Sequence, residues 1–147
     1  MLLEQIRKDL EEATRKQDPE VLKTIRFILS EIHYAEIDKQ KELTDDEVIA
    51  VLHKEVKKRN EAVELMKKAN RIELVEEENR KLEVIKKYLP EELSETDLEK
   101  IIDETIKNLN NPQIGAAIGA IMQKVKGKAD GKKVADLVKR KLLQTAN

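Results

Sequence analysis

Apolar residues recur every three or four positions through almost the whole chain, and charged residues fill the positions between them. Leu3, Ile6, Leu10 and Ala13 form a first stripe, which predicts a helix ending near Lys16-Gln17. Asp18-Pro19 reads as an N-cap followed by a proline at the first helical position. The helix it opens carries Val21/Leu22, Ile25, Ile28/Leu29, Ile32 and Ala35 on one side, and the polar run Asp38–Glu42 loosens the chain after it. Thr44-Asp-Asp-Glu47 has the pattern of a capping box, in which hydroxyl and carboxylate satisfy backbone amides reciprocally. The third stripe runs through Val48, Val51/Leu52, Val56, Ala62/Val63 and Met66 to about Ala69, with Asn70-Arg71 as a break or bend. Ile72, Val75, Leu82, Ile85 and Leu89 mark a fourth helix, stopped by Pro90.

Pro90 bars the residue before it from helical geometry, and Ser94 with Asp97 three positions on signals a fresh helix start. The chain is therefore expected to divide into an N-terminal helical subdomain, residues 1–90, and a C-terminal three-helix subdomain, residues 91–147. The second part places Leu98, Ile101/Ile102, Ile106 and Leu109 on one helix. Asn111-Pro112 opens another over Ile114–Val125, and Asp130-Gly131 opens the last over Val134–Leu143. No segment alternates with the period of a strand, and no repeat of fixed length is visible. The predicted fold class is all-α: two multihelical subdomains, long helical hairpins followed by a small C-terminal three-helix bundle.

Composition narrows the chemistry. Aromatics are 2% of residues (Phe27, Tyr34, Tyr88), so the core must be aliphatic. Cysteine is absent, which excludes disulfides, thiolate catalysis and zinc–sulfur sites. No apolar run approaches the length of a membrane span, and the first residues lack the features of a secretory signal, so the expectation is a soluble, cytoplasmic protein. The net charge of -1 conceals a split. From Pro112 onward eight lysines and arginines face only Asp130 and Asp136, a net +6, which leaves -7 on the rest. A basic tail on an acidic body points to a polyanionic partner.

Candidate catalytic groups do not converge. His33 and His53 sit on different predicted helices without metal-binding spacing, and read as ordinary histidines. Glu76-Glu-Glu78 reads as a solvated helix face, because consecutive helical residues point in different directions. Lys57-Lys-Arg59 and Lys67-Lys68 could form a basic ridge along an RNA. With Glu61 and Glu64 in pairing range, a salt-bridged outer face is the simpler reading. No catalytic residue, metal or cofactor is expected.

All four glycines fall between Gly115 and Gly131. Gly115 and Gly119, four apart beside Ala116 and Ala117, read as a seam allowing close helix–helix approach. Gly127 fits a left-handed position ending one helix, and Asp130 fits the N-cap of the next, which together make a tight structural corner. The amides of Gly131, Lys132 and Lys133 would open the new helix there. Lys126, Lys128, Lys132 and Lys133 surround the corner, so a phosphate could approach its backbone. The rival reading is that the glycine and aspartate only build the turn.

Tyr88-Leu-Pro-Glu-Glu-Leu-Ser94, the stretch Gly115 to Met122, and Val125-Lys-Gly-Lys-Ala-Asp-Gly131 together resemble the GatB/YqeY family, specifically its free-standing YqeY-like members. Glu42 to Leu52, with Glu55, Lys57 and Arg59, resembles the first half of the same family. The resemblance implies an all-α fold of two subdomains and kinship with the C-terminal tail of the B subunit of glutamine-dependent aminoacyl-tRNA amidotransferase. In that enzyme the tail helps hold the tRNA, and the glutaminase and kinase chemistry lies elsewhere. A carbon–nitrogen ligase label reaches this chain only by association. The chain departs from its relatives at Ala116, where a basic residue is common, and at Gln123, where proline is common.

The functional expectation is a non-catalytic module that binds RNA, tRNA in particular. Its contacts would come from Lys126, Gly127, Lys128, Gly131, Lys132, Lys133, Lys139 and Arg140. The alternative is a protein-interaction adaptor for an amidotransferase or aminoacyl-tRNA synthetase. A DNA-reading helix-turn-helix fits poorly, because the last helix offers no Asn or Gln before Gln144.

Overall fold

The computed structural model describes residues 1–110 and 113–145. Among them lie seven helices and no strand: α1 (Leu2–Lys16), α2 (Pro19–Lys39), α3 (Asp45–Lys68), α4 (Ile72–Lys86), α5 (Glu95–Asn108), α6 (Ile114–Val125) and α7 (Gly131–Thr145). The fold is all-α. Contacts within the chain group into two units, Met1–Pro90 and Glu91–Asn147. The expected opening of α6 at Asn111-Pro112 lies outside the described residues.

In the first unit α2 is the central element, packing on α1, α3 and α4. Its inward residues Ile25, Ile28 and Ile32 are buried with Ile6, Val48, Leu52, Leu82 and Ile85. Local chemistry sets the helix starts. The Asp18 carboxylate accepts the Val21 amide at 3.3 Å, and Pro19 follows it at the first helical position. The Thr44 hydroxyl accepts the Glu47 amide at 3.3 Å while the Glu47 carboxylate accepts the Thr44 amide at 2.9 Å, so the capping box is complete. That carboxylate also accepts from Lys41 and Lys39 at 2.9 and 3.3 Å. The Thr44 amide first, and then the two lysines, hold its pKa down at about 2.

Three helices of this unit end in left-handed residues without glycine: Gln17 (φ 53), Gln40 (φ 55) and Asn70 (φ 60). A glutamine there costs about 1 kcal/mol. Closing bonds offset it: Asp18 N–H to Ala13 C=O, Lys41 N–H to Glu36 C=O and Arg71 N–H to Met66 C=O. α4 stops at Lys86, short of the expected Leu89. The amides of Tyr88 and Leu89 bond back only three residues, to Ile85 and Lys86, tightening the chain before Pro90. That turn places the Tyr88 hydroxyl 2.6 Å from the Asp9 carboxylate, to which it donates. Burial and then this bond push the Tyr88 phenol well above the usual tyrosine range.

The second unit packs α5, α6 and α7 against one another around Leu98, Ile102, Ala117, Ile121, Val134 and Val138. Ser94 caps α5 by accepting the Asp97 amide at 3.1 Å. The Leu93 amide donates to the Lys128 carbonyl at 2.8 Å, which ties the chain entering α5 to the turn between α6 and α7. No helix among the described residues is long and apolar enough to cross a membrane.

Candidate nucleic-acid interface

The turn between α6 and α7 has the expected local build. Gly127 adopts φ 71, two residues beyond the end of α6, a conformation that favours a residue without Cβ. The Asp130 carbonyl accepts the Val134 amide at 3.0 Å, and its carboxylate accepts the Lys132 amide at 3.3 Å. Asp130 is thus the N-cap of α7. The expected nest of three open amides is reduced: Lys132 N–H is already satisfied, by an anion that also repels a phosphate at that spot. What the corner retains is side-chain charge. Lys128, Lys132 and Lys133 are exposed, and no ion pair joins them to the described residues.

α7 continues that charge. Its inward face is Val134, Leu137 and Val138, so Lys132, Asp136, Lys139 and Leu143 fall along the opposite side at three- and four-residue steps, with Lys133 and Arg140 beside them. Lys139 and Arg140 are exposed and, like Lys128, Lys132 and Lys133, form no ion pair among the described residues. Two other tail lysines are anchored. Lys141 pairs with Asp103 at 3.1 Å, and Lys124 donates to the buried Thr105 hydroxyl at 3.1 Å. The remaining strip is dense in flexible cations, a charge pattern suited to phosphates in varied positions.

The glycine seam is corrected by the structure. Gly115 and Gly119 are both exposed, and a Cβ on either would meet nothing within 4 Å. The inward face of α6 is Ala117, Ile121 and Val125, so the two glycines turn away from the bundle. Beside Gly115 lies a shallow groove lined by Gln113, Ile114, Lys139, Leu142 and Leu143.

The first unit holds a polar cluster that residue order did not disclose. Arg59 does not lie on a solvated outer face; its side chain is only 14% exposed. Its Nε donates to Glu55 at 2.9 Å and its Nη1 to Glu78 at 3.0 Å, while its guanidinium stacks 5.0 Å from the centre of the Phe27 ring. Lys81 pairs with Glu77 and Glu78, both at 3.4 Å. The glutamate run is therefore split: Glu76 is exposed, while Glu77 and Glu78 are half-buried partners. A signal was available, since Phe27, Tyr34 and Ile37 fall outside the Ile25–Ile28–Ile32 stripe of α2, and all three are exposed. Among the described residues no His/Asp/Glu group is arranged to hold a metal.

The family model described as Yqey-like protein matches residues 3–142, and the chain belongs to that family. An uncharacterised protein of Schizosaccharomyces pombe is 37% identical over 89 residues, 60% of this chain and 72% of that one. A protein of Pyrenophora tritici-repentis named altered inheritance of mitochondria protein 41, mitochondrial, is 27% identical over 133 residues, 88% of this chain and 74% of its own. One polypeptide of the glutamyl-tRNA(Gln) amidotransferase of Sulfurisphaera tokodaii is 41% identical over 78 residues, 48% of this chain but 12% of that much longer protein. The chain is thus related to part of an amidotransferase component. A relative named mitochondrial gives no support to the cytoplasmic expectation.

Proposed function

We propose that this Yqey-like protein is a non-catalytic RNA-binding module whose ligand is tRNA, held by the corner and the outer face of α7. The observation that carries the reading is the strip formed by Lys128 in the turn and Lys132, Lys133, Lys139 and Arg140 on α7, all exposed and in no ion pair among the described residues. Lys126 and the glycines Gly127 and Gly131 belong to the same corner. Kinship to part of a protein whose name contains glutamyl-tRNA(Gln) supports tRNA as the ligand class. Point charges on flexible stems read backbone phosphates and overall shape, not base sequence. Affinity should then fall steeply with salt, with a slope of about -4 in log K against log salt if four or five phosphates are neutralised.

Electrophoretic or fluorescence titration with total tRNA tests this. Lys128→Glu/Lys132→Glu should weaken binding at least about tenfold at low salt and shallow the salt slope by about 2. Equal binding by both proteins, or none by the wild type, ends the proposal. A second reading, an adaptor for an amidotransferase or synthetase, draws on the groove between Ile114 and Leu143, which are 45% and 68% exposed. Nuclease-resistant capture of one such enzyme from native lysate, together with no binding of purified tRNA, would favour it. Carbon–nitrogen ligase chemistry stays an association through the longer relative.

A further inference from the structure

We propose that the cleft lined by Lys23, Arg26, Phe27 and Ser30 of α2, Arg59 of α3 and Glu78 of α4 is a nucleotide site, taking one unpaired base together with its phosphate. It lies in the first unit and shares no residue with the α7 strip, so it stands or falls separately from the tRNA reading.

The ring comes first. Phe27 is 40% exposed, although a core position would better suit the chain's single phenylalanine. The Arg59 guanidinium lies over it, and Glu55 and Glu78 grip that guanidinium from two sides at 2.9 and 3.0 Å. The stack is thereby fixed before any ligand arrives, which removes part of the ordering cost of binding. A planar base extends such a cation–aromatic stack, whatever its identity, because every base has a π-face.

Charge selects the rest of the ligand. Arg59 and Lys81 face three carboxylates, Glu55, Glu77 and Glu78, which leaves one negative charge over. Lys23 and Arg26 are exposed and have no ion pair among the described residues, so they outweigh that surplus and the positive charge lies at the rim. Lys23 is four residues before Phe27 and Ser30 three after it, so on a helix all three share a face. A base stacked on the ring has its phosphate on the Lys23/Arg26 side and a hydroxyl on the other. The Ser30 hydroxyl donates to the Arg26 carbonyl at 3.0 Å, leaving its lone pairs to accept from a base amino group. A protein helix seated on Phe27, Tyr34 and Ile37 is the rival occupant. The polar lining at Phe27 and the two unmatched cations favour the anionic, planar one.

The test uses the intact chain at low salt and two probes, 2-aminopurine ribonucleoside monophosphate and a single-stranded tetraribonucleotide containing 2-aminopurine. Saturable quenching is expected with at least one probe. Binding of both places the site's ligand among free nucleotides, and binding of the tetramer alone places it in single-stranded RNA. Phe27→Ala should weaken binding about tenfold or more, and Phe27→Tyr should retain it. Lys23→Glu/Arg26→Glu, at exposed positions that leave the fold intact, should weaken it similarly. Lys132→Glu/Lys133→Glu should leave it within about twofold while weakening tRNA binding, which separates a failure here from a failure of the α7 strip. Neither probe binding, as a site for a protein helix requires, overturns the assignment. So does a Lys23→Glu/Arg26→Glu variant that binds like wild type.

Discussion

Replacing Arg59 by methionine tests whether the charged cluster under α2 holds the first unit together. Methionine keeps the aliphatic stem and its packing and removes only the guanidinium. Two charge-assisted hydrogen bonds are lost, at 2.9 and 3.0 Å, and so is the stacking on Phe27. The decisive loss is compensation: the side chains of Glu55 and Glu78 are 9% and 16% exposed and would be left facing each other without a cation between them. Breaking a buried pair from one side costs about 3–5 kcal/mol. Lys81 still reaches Glu78, so the lower end applies, about 3 kcal/mol. For a unit spanning Met1–Pro90 this corresponds to a fall in Tm of roughly 12–24 °C. The assay is urea unfolding followed by tyrosine fluorescence, because both tyrosines, Tyr34 and Tyr88, belong to this unit and the chain has no tryptophan. Adding Glu55→Gln to the arginine variant should recover about half of the loss, since the uncompensated charge and not the missing contact is the main cost. A single variant within about 1 kcal/mol of wild type, or a double variant that recovers nothing, would refute the reasoning.

Other outcomes follow from local chemistry. Gly119→Ala should raise the stability of the second unit by about 0.5–1 kcal/mol, since its Cβ meets nothing and glycine is costly mid-helix. Gly127→Ala should lower that stability by about 1–2 kcal/mol through its left-handed φ of 71, with Gly127→Asn milder; urea midpoints measured by circular dichroism check both. The Glu47 carboxyl should titrate near pH 2 by NMR. Because its folded pKa lies below the ordinary 4.5, the stability it gives is present above that value and is lost as pH falls through about 2. A Glu47 titration near 4.5 would show that the amide and lysine contacts do not hold in solution. Tyr88→Phe should cost about 1–2 kcal/mol for its bond to a carboxylate. The raised Tyr88 pKa favours the fold below the ordinary phenol value and ceases to do so as pH climbs past the raised one. In a Tyr34→Phe background, tyrosinate absorbance should therefore appear only with alkaline unfolding.

What could be read from residue order were the features governed by neighbours along the chain. Asp18-Pro19, the Thr44–Glu47 box, Ser94 and the Gly127/Asp130 turn act over three or four residues, and each has the geometry its pattern implies. The ends at Gln17 and Asn70 were legible from polarity alone, even without glycine. The Glu55–Arg59–Glu78–Lys81 cluster was not. It needs α2, α3 and α4 side by side, and in a chain with 40% charged residues every helix offers many pairings that look equally good. The exposure of Phe27, by contrast, was legible in outline, since it falls outside the stripe of Ile25, Ile28 and Ile32 that turns inward.

The glycines of α6 show that a misreading can come from ignoring phase, even where the sequence holds the answer. Small residues four apart fit a close helix contact and a bare outer surface equally well, so spacing alone decides nothing. Phase decides it. Ala117, Ile121 and Val125 also lie four apart, and they include the bulky apolar side chains that must be buried. At 3.6 residues per turn each position advances about 100°, so Gly119 sits about 200° from Ala117, on the opposite side. Once Ile121 and Val125 face the bundle, Gly115 and Gly119 must face out, and their open Cβ positions follow. A glycine mid-helix on an exposed face lowers stability without helping the bundle's own packing. A tRNA backbone or a partner helix could each exploit so smooth a surface. Measuring tRNA affinity for Gly119→Ala beside its stability tests the first: a more stable protein that binds tRNA as tightly as wild type removes this face from the RNA contact and leaves α7 to carry it.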